Sequence, residues 1–175
     1  MIRRHFLAFS CSLISLTIAL VLPLGCAQKA ARLGEKTGTV SFTILHTNDT
    51  HGHFWPEKAK DGSLRGGFAA AAQLVSQIRS EVKGRDGALL VLSAGDINTG
   101  VPESDHLAAE PDFIGMNEIG FDAMALGNHE FDHGITQLEK QSKWAKFPFL
   151  SANVMSKSRT LSFAKPYVIL ERSGV

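Results

Sequence analysis

The stretch Leu126-Gly127-Asn128-His129-Glu130-Phe131-Asp132 decides the fold class of this chain, because its polar residues follow directly on a short apolar run. Two other polar clusters, Asp49-Thr50-His51 and Gly95-Asp96, are placed in the same way. In open α/β sheets, binding sites form at the carboxyl ends of the strands. The three clusters therefore predict one site at one edge of a mainly parallel sheet.

Apolar runs alternate with helical patterns from residue 41 onward. The run 88–93 is apolar almost throughout, which is typical of a central parallel strand covered on both faces. Strands separated by helices predict right-handed βαβ crossovers and an α/β fold. The predicted strands are 41–47, 88–93, 122–126, 149–153 and 167–170, and the predicted helices are 66–83, 111–119 and 135–146.

Residues 1–26 have the composition of an export signal, with a basic start and an apolar stretch at 6–22. Two processing schemes are open. Leu24-Gly25-Cys26-Ala27 resembles a lipoprotein box, which would place lipid on Cys26, and the same small residues also suit ordinary cleavage before Gln28. An uncleaved anchor is a third alternative, because the apolar stretch is about long enough to span a bilayer.

These patterns predict a periplasmic or cell-envelope protein, and the first scheme predicts an outer-membrane lipoprotein. Membrane contact is expected only through the signal or the lipid. Residues 27–40 are small and polar and are interpreted as a linker. The cysteines are Cys11 and Cys26, so the part after the signal forms no disulfide. The formal net charge of +1 gives no electrostatic reason to expect a nucleic acid polymer as partner.

The carboxylate of Asp49 and the imidazole of His51 are suited to a shared metal ion. Side chains two residues apart on an extended segment point the same way, so both can reach one ion. Asp96 has two carboxylate oxygens that can bridge two cations, and Asn128 adds a neutral oxygen. Such donors are typical of divalent-ion sites. Taken singly, each residue could be a turn residue or a helix cap, but three clusters at successive strand ends favour the metal site.

His129 follows Asn128 directly and need not bind the same ion. Asp132 lies three residues further on, near enough through one turn to hold the imidazole in one tautomer. Facing a substrate, this pair could donate a proton or stabilise charge. Two divalent ions beside such a pair predict metal-assisted hydrolysis of a phosphate ester.

The same motifs resemble the signature blocks of calcineurin-like metallophosphoesterases. Three longer stretches are similar to the branch of bacterial periplasmic 5′-nucleotidases and UDP-sugar hydrolases. The resemblance implies an αββα sandwich that acts on nucleoside 5′-phosphates or UDP-sugars. The motifs that carry it are Asp49-x-His51, Gly95-Asp96 and Gly127-Asn128-His129-Glu130, with the stretches 44–49, 95–104 and 143–148.

The resemblance also implies a role for each candidate residue. Asp49 and His51 would bind a first divalent ion, Asp96 would bridge both ions, and Asn128 would bind the second. Zinc or manganese is the expected metal. His129, paired with Asp132, would stabilise the phosphoryl group or protonate the leaving oxygen.

The family pattern continues with further histidines and a C-terminal nucleotide-recognition domain, whereas no histidine follows His133 in this sequence. The expectation is therefore an incomplete, N-terminal portion of the sandwich over 41–175, inactive without its second half. The alternative is a non-catalytic exported metal-binding remnant. The sheet face of Leu90 and Leu92 is expected to lack its partner and to promote association.

Overall fold

The computed structural model describes residues 39–155 and 161–174, all within one unit of the chain, Lys36–Val175. The predicted export signal at 1–26 and nearly all of the predicted linker at 27–40 lie outside these residues. Within the described ranges, no helix combines the length and the apolar character needed to cross a membrane.

Five strands form one parallel sheet, in the order Phe42–Thr47, Ala88–Ser93, Ala123–Ala125, Phe149–Leu150 and Ala164–Lys165. Two further strands, Glu57–Lys58 and Leu64–Arg65, form an antiparallel hairpin. The α/β class predicted from the sequence is confirmed. The elements are β1 (Phe42–Thr47), β2 (Glu57–Lys58), β3 (Leu64–Arg65), α1 (Gly67–Lys83), β4 (Ala88–Ser93), α2 (Pro102–His106), α3 (Glu110–Ile119), β5 (Ala123–Ala125), a 3-10 helix (His129–Phe131), α4 (Gly134–Trp144), β6 (Phe149–Leu150) and β7 (Ala164–Lys165).

Apolar side chains pack the helices against the sheet. Val91 of β4 contacts a cluster that includes Val75 of α1 and Ile119 of α3. Each such side chain contributes roughly 1.5–3 kcal/mol when it is fully buried. A larger cluster lies towards β5 and β6 and has six side chains that are at most 1% exposed: Ile97, Phe113, Met116, Met124, Leu138 and Phe149.

The opposite face of the first strand pair is only partly covered. Ile44 of β1 is 57% exposed and is paired in register with Leu90 of β4, which is half-buried like Leu92. β4 is therefore not fully covered on both faces, whereas its apolar run predicts such cover. That the Leu90 and Leu92 face lacks its partner and promotes association stays a prediction. Apolar character alone does not show which face of a strand another element covers.

The last two strands differ from the prediction. The strand predicted at 149–153 is only Phe149–Leu150, and it pairs with Ala164–Lys165 rather than with 167–170. Pro166 follows β7 directly and has no N–H to donate, so the ladder stops there. Tyr167 and Ile169 beyond it are 69% and 78% exposed. The hairpin β2-β3 and the short helix α2 were not predicted.

A buried carboxyl group, that of Asp112, lies in the first turn of α3. It is fully buried, and the Ser104 hydroxyl of α2 donates a 2.6 Å hydrogen bond to its Oδ2. Burial raises the pKa of Asp112 to about 6, because the charged form loses its hydration. The folded chain therefore holds this proton at pH values where the unfolded chain has released it.

The raised pKa of Asp112 predicts a pH-dependent loss of stability. Because the folded state binds the proton more tightly, the free energy of unfolding falls as pH rises from about 4 to about 6, by roughly 3 kcal/mol in total from this group. Asp112→Asn should lack this contribution, so its stability relative to the natural chain should rise over that window. Chemical denaturation at a series of pH values measures it. The exposed Asp86→Asn is the matched control, and parallel profiles for the natural chain and Asp112→Asn would contradict the prediction.

Candidate metal centre

The loops after β1, β4 and β5 meet at one edge of the sheet, where the sequence places the three polar clusters. Backbone hydrogen bonds join the first two loops: the Asp49 N–H donates to the Gly95 carbonyl and the His51 N–H to the Asp96 carbonyl, both at 3.1 Å. The Asp96 Oδ1 in turn accepts the His129 N–H at 2.9 Å. All three clusters are therefore in direct contact.

Three of the predicted metal ligands have left-handed backbone conformations. The φ angles are 53° at Asp49, 46° at His51 and 56° at Asp96. Residues other than glycine rarely adopt this region, which costs of order 1 kcal/mol or more each and is concentrated at functional sites. Asp49 and His51 are brought together by these turns and not by the extended segment expected from the sequence.

Three donor groups form a tight cluster. His51, Asp96 and His129 each offer one ligand atom, and these atoms all lie within 4.8 Å of one another. Asp49 extends the group, since its Oδ1 is 3.8 Å from His51 Nε2. Imidazole and carboxylate donors at this spacing fit a divalent metal ion, and three protein ligands with an open position are typical of catalytic metal sites.

His51 is held in one tautomer. Its Nδ1 lies 2.8 Å from the Thr99 carbonyl and 3.0 Å from the Asn98 carbonyl. Carbonyl oxygens only accept hydrogen bonds, so Nδ1 carries the hydrogen and Nε2 keeps its lone pair. Histidines that bind metal are commonly fixed in this way through their second nitrogen.

His129 and Asp132 form a hydrogen-bonded pair. His129 Nδ1 is 2.7 Å from Asp132 Oδ2, and the Thr99 hydroxyl donates to the same oxygen at 2.6 Å. The Thr99 hydroxyl and the His129 ring lower the pKa of Asp132, and the bond to Asp132 raises the pKa of His129. The imidazole is thus oriented by a carboxylate, with Nε2 directed away from that bond.

Asn128 lies at the exposed start of the 3-10 helix, next to His129. The alternative interpretation of Asn128 as a helix cap does not fit, because its side chain makes no capping hydrogen bond within the described part of the chain. Asp132 is likewise bonded to the imidazole and to Thr99 instead of acting only as an acid in a first turn.

Glu130 joins two of the loops and was not recognised as important in the sequence. Its side chain is fully buried, and its Oε2 accepts the backbone N–H groups of Asp96 and Gly127 at 2.9 and 2.7 Å. Its Oε1 accepts those of Ile97 at 2.8 Å and Asn98 at 3.4 Å. The signal available in the sequence was an acidic residue with no predicted ligand role, three residues after Gly127, whose backbone N–H needs an acceptor.

Glycine is required where the two loops touch. A Cβ at Gly95, where φ is 92°, would lie 2.4 Å from the Gly127 nitrogen and 2.9 Å from Glu130 Oε2. A Cβ at Gly127 would lie 2.2 Å from Asp96 Oδ1. The glycines before Asp96 and Asn128 therefore let the loops approach closely enough for Glu130 to bond to both.

Glu130→Gln should loosen the site and lower stability. The amide NH2 cannot accept hydrogen bonds, so two buried backbone N–H groups lose their partner at about 1–3 kcal/mol each, or about 2–6 kcal/mol in total. Chemical denaturation measures the free energy of unfolding. Glu118→Gln, on the exposed surface of α3, is the control and should change little. Equal stabilities for the two variants would show that Glu130 does not hold the loops.

Comparisons with known proteins agree with this geometry. The sequence model of the calcineurin-like phosphoesterase family matches residues 42–170. UshA of Salmonella pullorum is 52% identical over 158 residues, which cover 90% of this chain and 28% of that protein. The 5′-nucleotidase of Vibrio cholerae is 49% identical over 151 residues, which cover 86% and 27%.

A solved structure shares the fold. The 5′-nucleotidase precursor from Thermus thermophilus superposes with a TM-score of 0.67 and 33% sequence identity, covering 75% of this chain and 26% of that one. The chain thus spans less than a third of the length of the curated relatives described above. Since the family match covers most of the chain and includes all three loops of the site, this protein belongs to the calcineurin-like phosphoesterase family.

Proposed function

We propose that this chain carries the metal-binding part of a phosphate-ester hydrolase of the 5′-nucleotidase type. The observation that supports this most is the convergence of the three loops, which brings one donor atom each from His51, Asp96 and His129 within 4.8 Å of the others. In this proposal His51 and Asp96 are metal ligands, and His129 faces the substrate beside them. The three residues lie on the loops that resemble the family's signature blocks, within the stretch that the family model matches. The names of the relatives support the 5′-nucleotidase branch.

In this proposal, Asp49 and His51 would hold one divalent ion, Asn128 would hold a second, and Asp96 would contribute to both. Zinc or manganese would fill the two positions. Ions bound there supply positive charge to a phosphate group and favour the ionisation of a water molecule. Among the described residues, Asp96 Oδ1 accepts one hydrogen bond, from the His129 N–H, so the carboxylate would keep lone pairs for metal ions.

His129 acts on the substrate in this proposal. Its Nδ1 is bonded to Asp132, so the Nε2 nitrogen is oriented to donate a hydrogen bond to a phosphoryl oxygen or a proton to the leaving oxygen. The Asp132 carboxylate raises the pKa of the imidazole and so favours the protonated form that this role needs. Both roles of His129, hydrogen-bond donor and proton donor, are proposed from its contact with Asp132. Measurements of substrate hydrolysis test them.

The proposed substrates are nucleoside 5′-phosphates, which water would split into a nucleoside and phosphate, or UDP-sugars, which water would split into UMP and a sugar phosphate. We place the remaining metal ligands and the base-recognition surface outside this chain, because the curated relatives are more than three times its length. We also propose export to the periplasm or cell envelope through residues 1–26, with Cys26 as the site of a lipid anchor.

The metal assignment predicts different results for two aspartates. Asp96→Asn should lower zinc or manganese affinity by at least about 10-fold, because it removes negative charge from both positions. Asp132→Ala should leave the metal content unchanged, since Asp132 bonds to the imidazole and to Thr99. Titration calorimetry and metal analysis measure both, with the exposed Asp86→Asn as control. Metal loss on Asp132→Ala equal to that on Asp96→Asn would contradict the assignment.

Catalysis is tested by phosphate release from AMP and hydrolysis of UDP-glucose. The 175-residue chain alone should show negligible turnover with added manganese or zinc, whereas the whole protein that contains it should be active. In the whole protein, His129→Ala should lower kcat by about 10²–10⁴-fold, as expected for loss of a general acid. A whole protein that binds metal but hydrolyses neither substrate would instead support the non-catalytic metal-binding alternative.

A further inference from the structure

Thr99 contacts both halves of the proposed site. Its backbone carbonyl accepts a hydrogen bond from His51 Nδ1 at 2.8 Å, on the side of the metal ligands. Its hydroxyl donates to Asp132 Oδ2 at 2.6 Å, on the side of His129. One residue of the loop after β4 therefore orients two imidazoles that belong to the loops after β1 and β5.

The backbone of Thr99 has a strained conformation. Its φ angle is 60°, in the left-handed region, where a β-branched residue is an outlier. Glycine or asparagine would adopt this conformation at lower cost. The feature that threonine adds at this position is the hydroxyl group bonded to Asp132.

The pair of His129 and Asp132 needs such a third contact. Their side chains are 36% and 38% exposed, so the surrounding packing restricts them only in part. The two hydrogen bonds to Oδ2 come from different loops, at 2.7 Å from His129 and 2.6 Å from Thr99. Bonds to an ionised acceptor are about twice as strong as neutral ones, so Thr99 anchors the carboxylate that in turn orients the imidazole.

We propose that Thr99 is a positioning residue for the hydrolytic reaction: its hydroxyl holds Asp132 so that His129 keeps one orientation relative to His51 and Asp96. The inference rests on the proposed function of His129. Thr99 does not contact the substrate in this scheme. Its contribution is the orientation of a group that does.

Two substitutions separate the hydroxyl from the rest of the residue. Thr99→Val keeps the size and the branching at Cβ and removes the hydroxyl, and Thr99→Ser keeps the hydroxyl. Both retain the carbonyl that accepts from His51. If Thr99 has only a structural role, the folded Thr99→Val and Thr99→Ser proteins should give the same His129 NMR signal and the same kcat. If its hydroxyl positions Asp132, the signal and kcat should be reduced in Thr99→Val and retained in Thr99→Ser.

The first measurement needs no activity. In this chain, the proton on His129 Nδ1 should give a downfield NMR signal, because it is hydrogen-bonded to a carboxylate. We expect the signal to broaden or disappear in Thr99→Val and to remain in Thr99→Ser, with the free energy of unfolding of both variants measured alongside. A sharp, unshifted signal in a folded Thr99→Val protein would overturn the proposal.

The second measurement uses the whole protein. We expect Thr99→Val to lower kcat for AMP by about 10-fold, with KM and metal content unchanged and Thr99→Ser close to the natural enzyme. An unchanged kcat in Thr99→Val, or a loss that serine does not restore, would overturn the proposal. An inactive natural enzyme would refute the proposed function instead, and the NMR signal of His129 would still decide whether Thr99 orients the imidazole.

Discussion

The geometry of this site depends on the hydrogen bonds that the buried carboxylate of Glu130 accepts. It accepts backbone N–H groups from the loops after β4 and β5, including those of Asp96 and Gly127. A charged group is buried at a large cost unless hydrogen bonds replace its hydration, and four backbone donors do so here. In our proposal Glu130 does not bind a metal ion. It fixes the distance between the loops after β4 and β5, which carry proposed metal ligands.

Asp96 is the second point where the loops converge. Its N–H donates to Glu130, its carbonyl accepts the His51 N–H, and its Oδ1 accepts the His129 N–H. These bonds keep Asp96 in a left-handed conformation that an isolated chain would rarely adopt. The strain of the site is therefore offset by hydrogen bonds between loops, and a change in any of the three loops is expected to affect the other two.

The sequence-based predictions were accurate for the long elements and less accurate for the short ones. The helices α1, α3 and α4 lie within two residues of their predicted bounds. Apolar residues at helical spacing identify α1, and a proline in the first turn identifies α3. The strand predicted at 167–170 was wrong because pairing partners are chosen in space, and Pro166 ends the ladder one residue after β7. The short strands β6 and β7 have too few residues for any period to be visible.

The sequence by itself determined that this is an α/β protein with polar clusters at successive strand ends, because hydrophobic periodicity and strand direction are local properties. It also supplied the candidate ligands Asp49, His51, Asp96 and Asn128. Only the tertiary structure assigned Glu130 and Thr99 their hydrogen bonds to residues 32 or more positions away along the chain. Such roles depend on which backbone groups are left without a partner once the loops have met, and no pattern along the chain records that.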